Sequence, residues 1–112
     1  MATNTYALKT LTAVGTSYTA VYTVPSTKAS MAISLFLSNI VASGISVSVR
    51  ILDSSAGGSA YRFLIKDVSI PVGGSLDPLD NKMVLESGDV IEVKSDVASS
   101  LDVLLTVCED IN

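Results

Sequence analysis

The chain has no histidine and no tryptophan among its 112 residues. Without histidine, the commonest general base and the commonest transition-metal ligand are missing together. Ser-His-Asp and Cys-His nucleophile arrangements are therefore excluded. Cys108 is the single cysteine, so no intrachain disulfide can form. A zinc site would have to rest on one thiolate and carboxylates, which is not a zinc ligand set. Charge is sparse too: 16% of residues are charged, against roughly 25% in an ordinary soluble domain. The basic residues Lys9, Lys28, Arg50, Arg62, Lys66, Lys82 and Lys94 never stand side by side, and the net charge is −4. Nucleic acid, which needs a basic patch, is not an expected partner. Aromatic residues make up 5% of the chain, too few for a base-stacking platform. No phosphate-binding loop of the G-x-x-x-x-G-K-[ST] or G-x-G-x-x-G type occurs. Gly57-Gly58 and Gly73-Gly74 precede no helical pattern, so they read as turn glycines. Residues 1–5 have neither a basic nor an apolar region of a secretory signal, and no apolar run is long enough to span a membrane. The expected product is made in a cytoplasm and needs no membrane and no cofactor.

What the chain does have is alternation. In Ile45-Ser46-Val47-Ser48-Val49-Arg50-Ile51 every odd position is β-branched and apolar and every even one is polar. Successive strand side chains point to opposite faces, so this segment buries one face and wets the other. Similar runs recur with turn residues between them, and helical spacing never takes over. Strands are expected at 6–12, 17–24, 30–39, 45–53, 60–66, 82–85, 90–94 and 101–111. Residues 67–71 continue the fifth strand or pair at an edge. The expected fold is all-β: one antiparallel β-sandwich or jelly-roll-like domain of about eight strands covering residues 1–112. Residues 1–5 read as an N-terminal arm, either flexible or bound to a partner.

Several side chains carry specific expectations. Tyr18, Ala20, Tyr22 and Val24 fall on one face of the second strand. Ile33, Leu35 and Leu37 fall on one face of the third, where Phe36 interrupts the polar side and suggests cover on both. Tyr61, Phe63 and Ile65 share a face of the fifth. Tyr18, Tyr22 and Tyr61 could line a sugar site, but packing in the core with the hydroxyl at the rim is the plainer reading. Asp77, Asp80, Glu86 and Asp89 fall within 13 positions. Two of them could in principle serve a glycosidase, or several a calcium ion, but Asp is also an ordinary turn former. Cys108 ends the apolar run 103–108 and reads as a small buried hydrophobe, with an intermolecular disulfide as the alternative.

Longer motifs suggest a family. Tyr22-Thr23-Val24-Pro25, then Leu37-Ser38-Asn39, then Ile70-Pro71-Val72-Gly73-Gly74-Ser75-Leu76, then Lys82-Met83-Val84-Leu85-Glu86-Ser87-Gly88-Asp89-Val90-Ile91-Glu92-Val93 succeed one another. In this order they resemble small β-sandwich virion proteins of tailed bacteriophages, particularly marine and cyanobacterial phages. The resemblance runs from about Tyr18 to Ile111 and carries no catalytic residue. It implies a non-enzymatic structural protein of the virion, most naturally a capsid decoration or cement protein. A neck, tail or fibre-base component is the alternative within that class. A carbohydrate-binding, receptor-recognising module is the alternative outside it. The implied partners are sister subunits, with a trimer plausible for a decoration protein, and other virion proteins such as the major capsid protein. The wet face of the opening alternation, Ser46, Ser48 and Arg50, is the candidate assembly surface, because small uncharged side chains are cheap to desolvate. On that reading, lysines at Ser46 and Ser48 should weaken incorporation and leave the monomer folded.

Overall fold

The computed structural model describes residues 5–25, 28–54, 60–79 and 82–109. The strands are β1 (Thr5–Val14), β2 (Thr19–Thr23), β3 (Ser30–Asn39), β4 (Ile45–Asp53), β5 (Ala60–Ile70), β6 (Ser75–Leu76), β7 (Met83–Leu85), β8 (Val90–Ser95) and β9 (Leu101–Glu109). The expected arm lies outside the described residues except for Thr5, which already opens β1. Residues 55–59 and Asp80 also lie outside them.

The strands form two antiparallel sheets. The first has the order β1-β9-β3-β6, with β7 also on β3, and the second has the order β2-β8-β4-β5. The pairing is nested: β1 with β9, β2 with β8, β3 with β6 and β7, β4 with β5. One long hairpin, with its tip between β4 and β5, has been rolled so that β3 meets β9 and β4 meets β8. That is a jelly roll, with one of its eight strands divided into the short β6 and β7.

Alternation builds the core between the sheets. Ile45, Val47, Val49 and Ile51 of β4 and Leu101, Val103, Leu105 and Val107 of β9 are all buried. Burying each such side chain stabilises the fold by about 1.5–3 kcal/mol before chain entropy is counted. Leu35, Leu37, Ile70, Leu85, Ile91 and Val93 complete the centre.

Five departures from simple alternation come from β-bulges, one of them in β1, where Thr12 and Ala13 together face Asp102. In each, an extra residue on one strand faces the partner and reverses the facing of its successors. Val21 is extra in β2, so Val21 and Tyr22 are both buried while Ala20 is exposed. Ile33 is extra in β3, which separates it from the face of Leu35 and Leu37. Leu64 is extra in β5, so Tyr61 and Phe63 lie outward while Ile65 packs against the core. Lys66 and Asp67 together face Ser48, with Asp67 at φ 53°. Phe36 is also corrected: it is not covered on both sides but stands 47% exposed.

The longer sequence motifs form clamps at the two ends of β4. At one end the Asn39 amide donates to the carbonyls of Ser43 (2.8 Å), Ile70 (3.1 Å) and Pro71 (3.2 Å), and its Oδ1 accepts from Val41 N (2.9 Å). Asn39 N also donates to Gly74 O at 3.1 Å. The β-turn it grips places Gly73 at φ 72°, which a side chain would resist. At the other end buried Asp89 accepts from Ser54 N (3.1 Å) and Glu86 N (2.9 Å). Val24 N donates to Asp89 O (2.9 Å), and Gly88 N donates to Val24 O (3.1 Å). Gly88 is required there: it sits at φ 82°, and a Cβ would lie 2.6 Å from Ser54 Oγ. Motif segments far apart in sequence thus close on one another.

Candidate functional site

Ser46, Ser48 and Arg50 do share the outer face of the second sheet, but Ser48 is 1% exposed. Its hydroxyl fills the β5 bulge, accepting from Asp67 N at 2.9 Å and facing Asp67 Oδ1 at 3.4 Å. It has nothing left to offer a neighbour. A lysine at Ser48 would break this contact, so the expectation that paired lysines leave the monomer intact does not hold. Ser46 is half-buried, and its backbone is held by Asp96 from both sides: Ser46 N donates to Oδ1 (2.8 Å) and Ser46 O accepts from Asp96 N (3.0 Å).

Arg50 is the centre of that face. Its guanidinium lies between two rings, 3.6 Å from the Tyr18 centroid and 3.9 Å from that of Tyr61. Its Nε donates to Glu92 Oε1 at 2.7 Å, and Lys94 Nζ lies 5.1 Å from the Tyr18 ring centroid. Stacking of a guanidinium on aromatic faces is worth about 0.5–1 kcal/mol at exposed sites. Of the three tyrosines expected together, Tyr18 and Tyr61 therefore meet, outside the core. Tyr22 is elsewhere, buried between the sheets. Its hydroxyl donates to Glu109 Oε2 (2.8 Å) and is paired with Ser30 Oγ (2.7 Å). Burial, with the Glu109 carboxylate adding to it, pushes the Tyr22 phenol up to about 12.

The acidic residues divide. Asp77 caps its own turn through Leu79 N at 3.0 Å. Glu86 and Asp89 come together with Asp53, with carboxylate oxygens within 4.8 Å of one another. Both Asp89 oxygens already accept backbone N–H groups, which is the geometry of a turn clamp. Among the described residues, no buried side-chain nitrogen or oxygen lacks a partner.

The outer face of the first sheet has a different character. Strand register sets Tyr6, Cys108, Met31 and Val84 in one row across four strands. The next row is Leu8, Thr106 and Ser34, and the next Thr10, Leu104 and Phe36. None of these residues is charged. Tyr6, Leu8, Phe36, Val84 and Leu104 are exposed, while Cys108 is covered within its row. Contiguous exposed apolar surface on a soluble domain marks an interaction site. The sequence held two signs of this face: Phe36 on the polar side of β3, and Leu104 between the inward Val103 and Leu105.

The two long edges also differ. β5 carries both of its bulges and the charged Arg62, Lys66 and Asp67. Bulges and charges are the usual means of blunting an edge. β1 keeps an unbroken register with β9 from Thr5 to Leu11, and its first irregularity comes after Leu11. Lys9 is the one charge in that run, with its ammonium 5.8 Å from the Tyr22 ring.

No protein-family model and no curated protein matches the sequence. Among solved structures the chain is similar to one described as "Bacillus endospore appendages form a novel family of disulfide-linked pili". Identity is 10%, the match covers 96% of this chain and 89% of that one, and the TM-score is 0.50. It is also similar to a pentameric capsid protein from metagenomic phage sequences, at 19% identity, 91% and 60% coverage and a TM-score of 0.43. A third likeness is to a structure of infectious bursal disease virus, Gx strain, at 12% identity, 95% and 38% coverage and a TM-score of 0.46. This chain thus spans less than two thirds of both viral chains. Identity this low speaks to fold alone.

Proposed function

We propose that this protein is a non-enzymatic structural subunit of a bacteriophage virion, serving as a decoration or cement protein on the capsid. Three uncharged rows on the outer face of the first sheet carry this reading. Three rows of Tyr, Leu, Met, Phe, Val, Thr and Ser lose little by desolvation and gain from burial against sister subunits or the major capsid protein. The sequence motifs support it, because they clamp a scaffold and present no reacting group. The protein is made in the host cytoplasm and ends in the particle.

Electron cryomicroscopy of the particle, with antibody labelling of this chain, tests the reading. The expected result is ordered density on the capsid, and faster loss of genome on heating when the protein is absent. Labelling confined to the neck, tail or fibre base would move the protein to that part of the virion. Absence from purified particles would remove the reading.

One observation favours a second reading. Tyr18 and Tyr61 flank Arg50 on an outer surface, an arrangement a carbohydrate-binding, receptor-recognising module could use. A glycan array in which Tyr61→Ala removes a wild-type signal would support it, and an array without signal would dismiss it.

A further inference from the structure

We propose that the exposed edge of β1 is a homotypic joint, at which β1 of a second copy adds in antiparallel fashion about a twofold axis through Leu8. The inference deepens the assembly reading and rests on it for its biological purpose.

An edge strand presents backbone N–H and C=O groups to whatever strand can lie beside it. Among the described residues β1 pairs only with β9, so its other side is such an edge. The remaining edges are poor candidates. β5 is broken by two bulges and carries Arg62, Lys66 and Asp67. β2 is five residues long and bulged at Val21. β6 and β7 have two and three residues. A contact between two copies that uses strand edges therefore pairs β1 with β1. Antiparallel pairing of identical strands is closed and self-complementary under a twofold axis.

Face and charge set the register. Directly opposed residues in an antiparallel pair lie on the same face, so the axis must pass through a residue. An axis at Lys9 would oppose two ammonium groups. An axis at Leu8, the middle of the unbroken run, opposes Leu8 to Leu8, Tyr6 to Thr10 and Ala7 to Lys9, with no like charges facing. Tyr6 is 71% exposed and Leu8 60%, so both gain cover. The joint also makes the uncharged rows of two copies continuous. So short a ladder covers less than the roughly 800 Å² per partner of a standard interface. The pair is accordingly weak in dilution and is reinforced by the other contacts of a many-copy lattice.

The test uses the purified full chain. Sedimentation should show wild type moving from monomer to dimer as concentration rises towards about 1 mM. Leu8→Lys and Leu8→Glu should each remain monomeric with unchanged melting, since Leu8 is exposed. Mixing the two variants should restore the dimer. In a Cys108→Ala background, Leu8→Cys should cross-link on mild oxidation, because opposed Cα atoms at about 4.5–5.5 Å suit a disulfide. Arg62→Cys on the β5 edge should cross-link at least tenfold more slowly. A wild type that stays monomeric, a trimeric mass, or equal cross-linking at both edges would overturn the inference. Virion labelling is independent of these outcomes, so a failed joint and a failed virion assignment are told apart.

Discussion

The two sheets pack on one core but treat water in opposite ways. The first shows the solvent rows of uncharged Tyr, Leu, Met, Phe, Val, Thr and Ser and ends in β1, whose register is unbroken from Thr5 to Leu11. The second shows it Arg50 stacked between Tyr18 and Tyr61, Glu92 and Lys94, and ends in the twice-bulged β5. Three polar groups of the second sheet are satisfied internally: Ser48 by Asp67, Ser46 N by Asp96, Arg50 Nε by Glu92. The difference teaches that the same alternation can be finished in two ways. One outer face is organised around its own charged and aromatic pairs, with Phe63 still 46% exposed beside them, and the other carries three uncharged rows with no such internal pairing.

The strongest way to break this contrast is to charge the open face. Phe36→Glu with Leu104→Glu should leave the melting temperature within a few degrees, because both side chains are exposed. Incorporation into particles, read by quantitative immunoblot, should fall about tenfold or more, since charge would have to be desolvated there. Arg50→Ala provides the contrast. It should leave incorporation unchanged and lower stability by under about 1 kcal/mol in denaturant melts.

Between these in size lies a change that strikes both sheets. Asn39→Ala removes the amide that holds the Ser43, Ile70 and Pro71 carbonyls, the bond to Ile70 being buried, and should cost about 2 kcal/mol of folding stability in urea. An effect seen only at alkaline pH concerns the link between the sheets. The Tyr22 phenol, raised from 10.0 to about 12, favours the folded state while it is protonated. Its contribution is complete below the ordinary tyrosine range and is lost as pH rises through about 12. Tyr22→Phe should flatten the fall in stability across that alkaline window and leave its neutral-pH slope unchanged.

Much of this fold was legible in the chain. β3 and β4 fall on the residues expected from alternation, and the inward set of β9 is the one its periodicity named. What the sequence hides is the bulge. One inserted residue reverses a face without changing local composition, so the outward turn of Tyr61 and Phe63 could not be read from 60–66 alone. Ser48 was legible as outward-facing but not as occupied, because its partner Asp67 stands 19 positions away. Nor could the two-residue β6 be seen, since its ladder with Leu37 and Ser38 is tertiary in origin. The open face was half visible, through the two apolar residues Phe36 and Leu104 that stand where polar ones were due.

Amide hydrogen exchange at rising protein concentration tests the contrast most directly. If the first sheet is the associating side, the amides of residues 6–11 should become protected as copies associate, while those of residues 61–65 keep the same rates. Protection gained in β5 and not in β1 would contradict the account and place association on the second sheet instead.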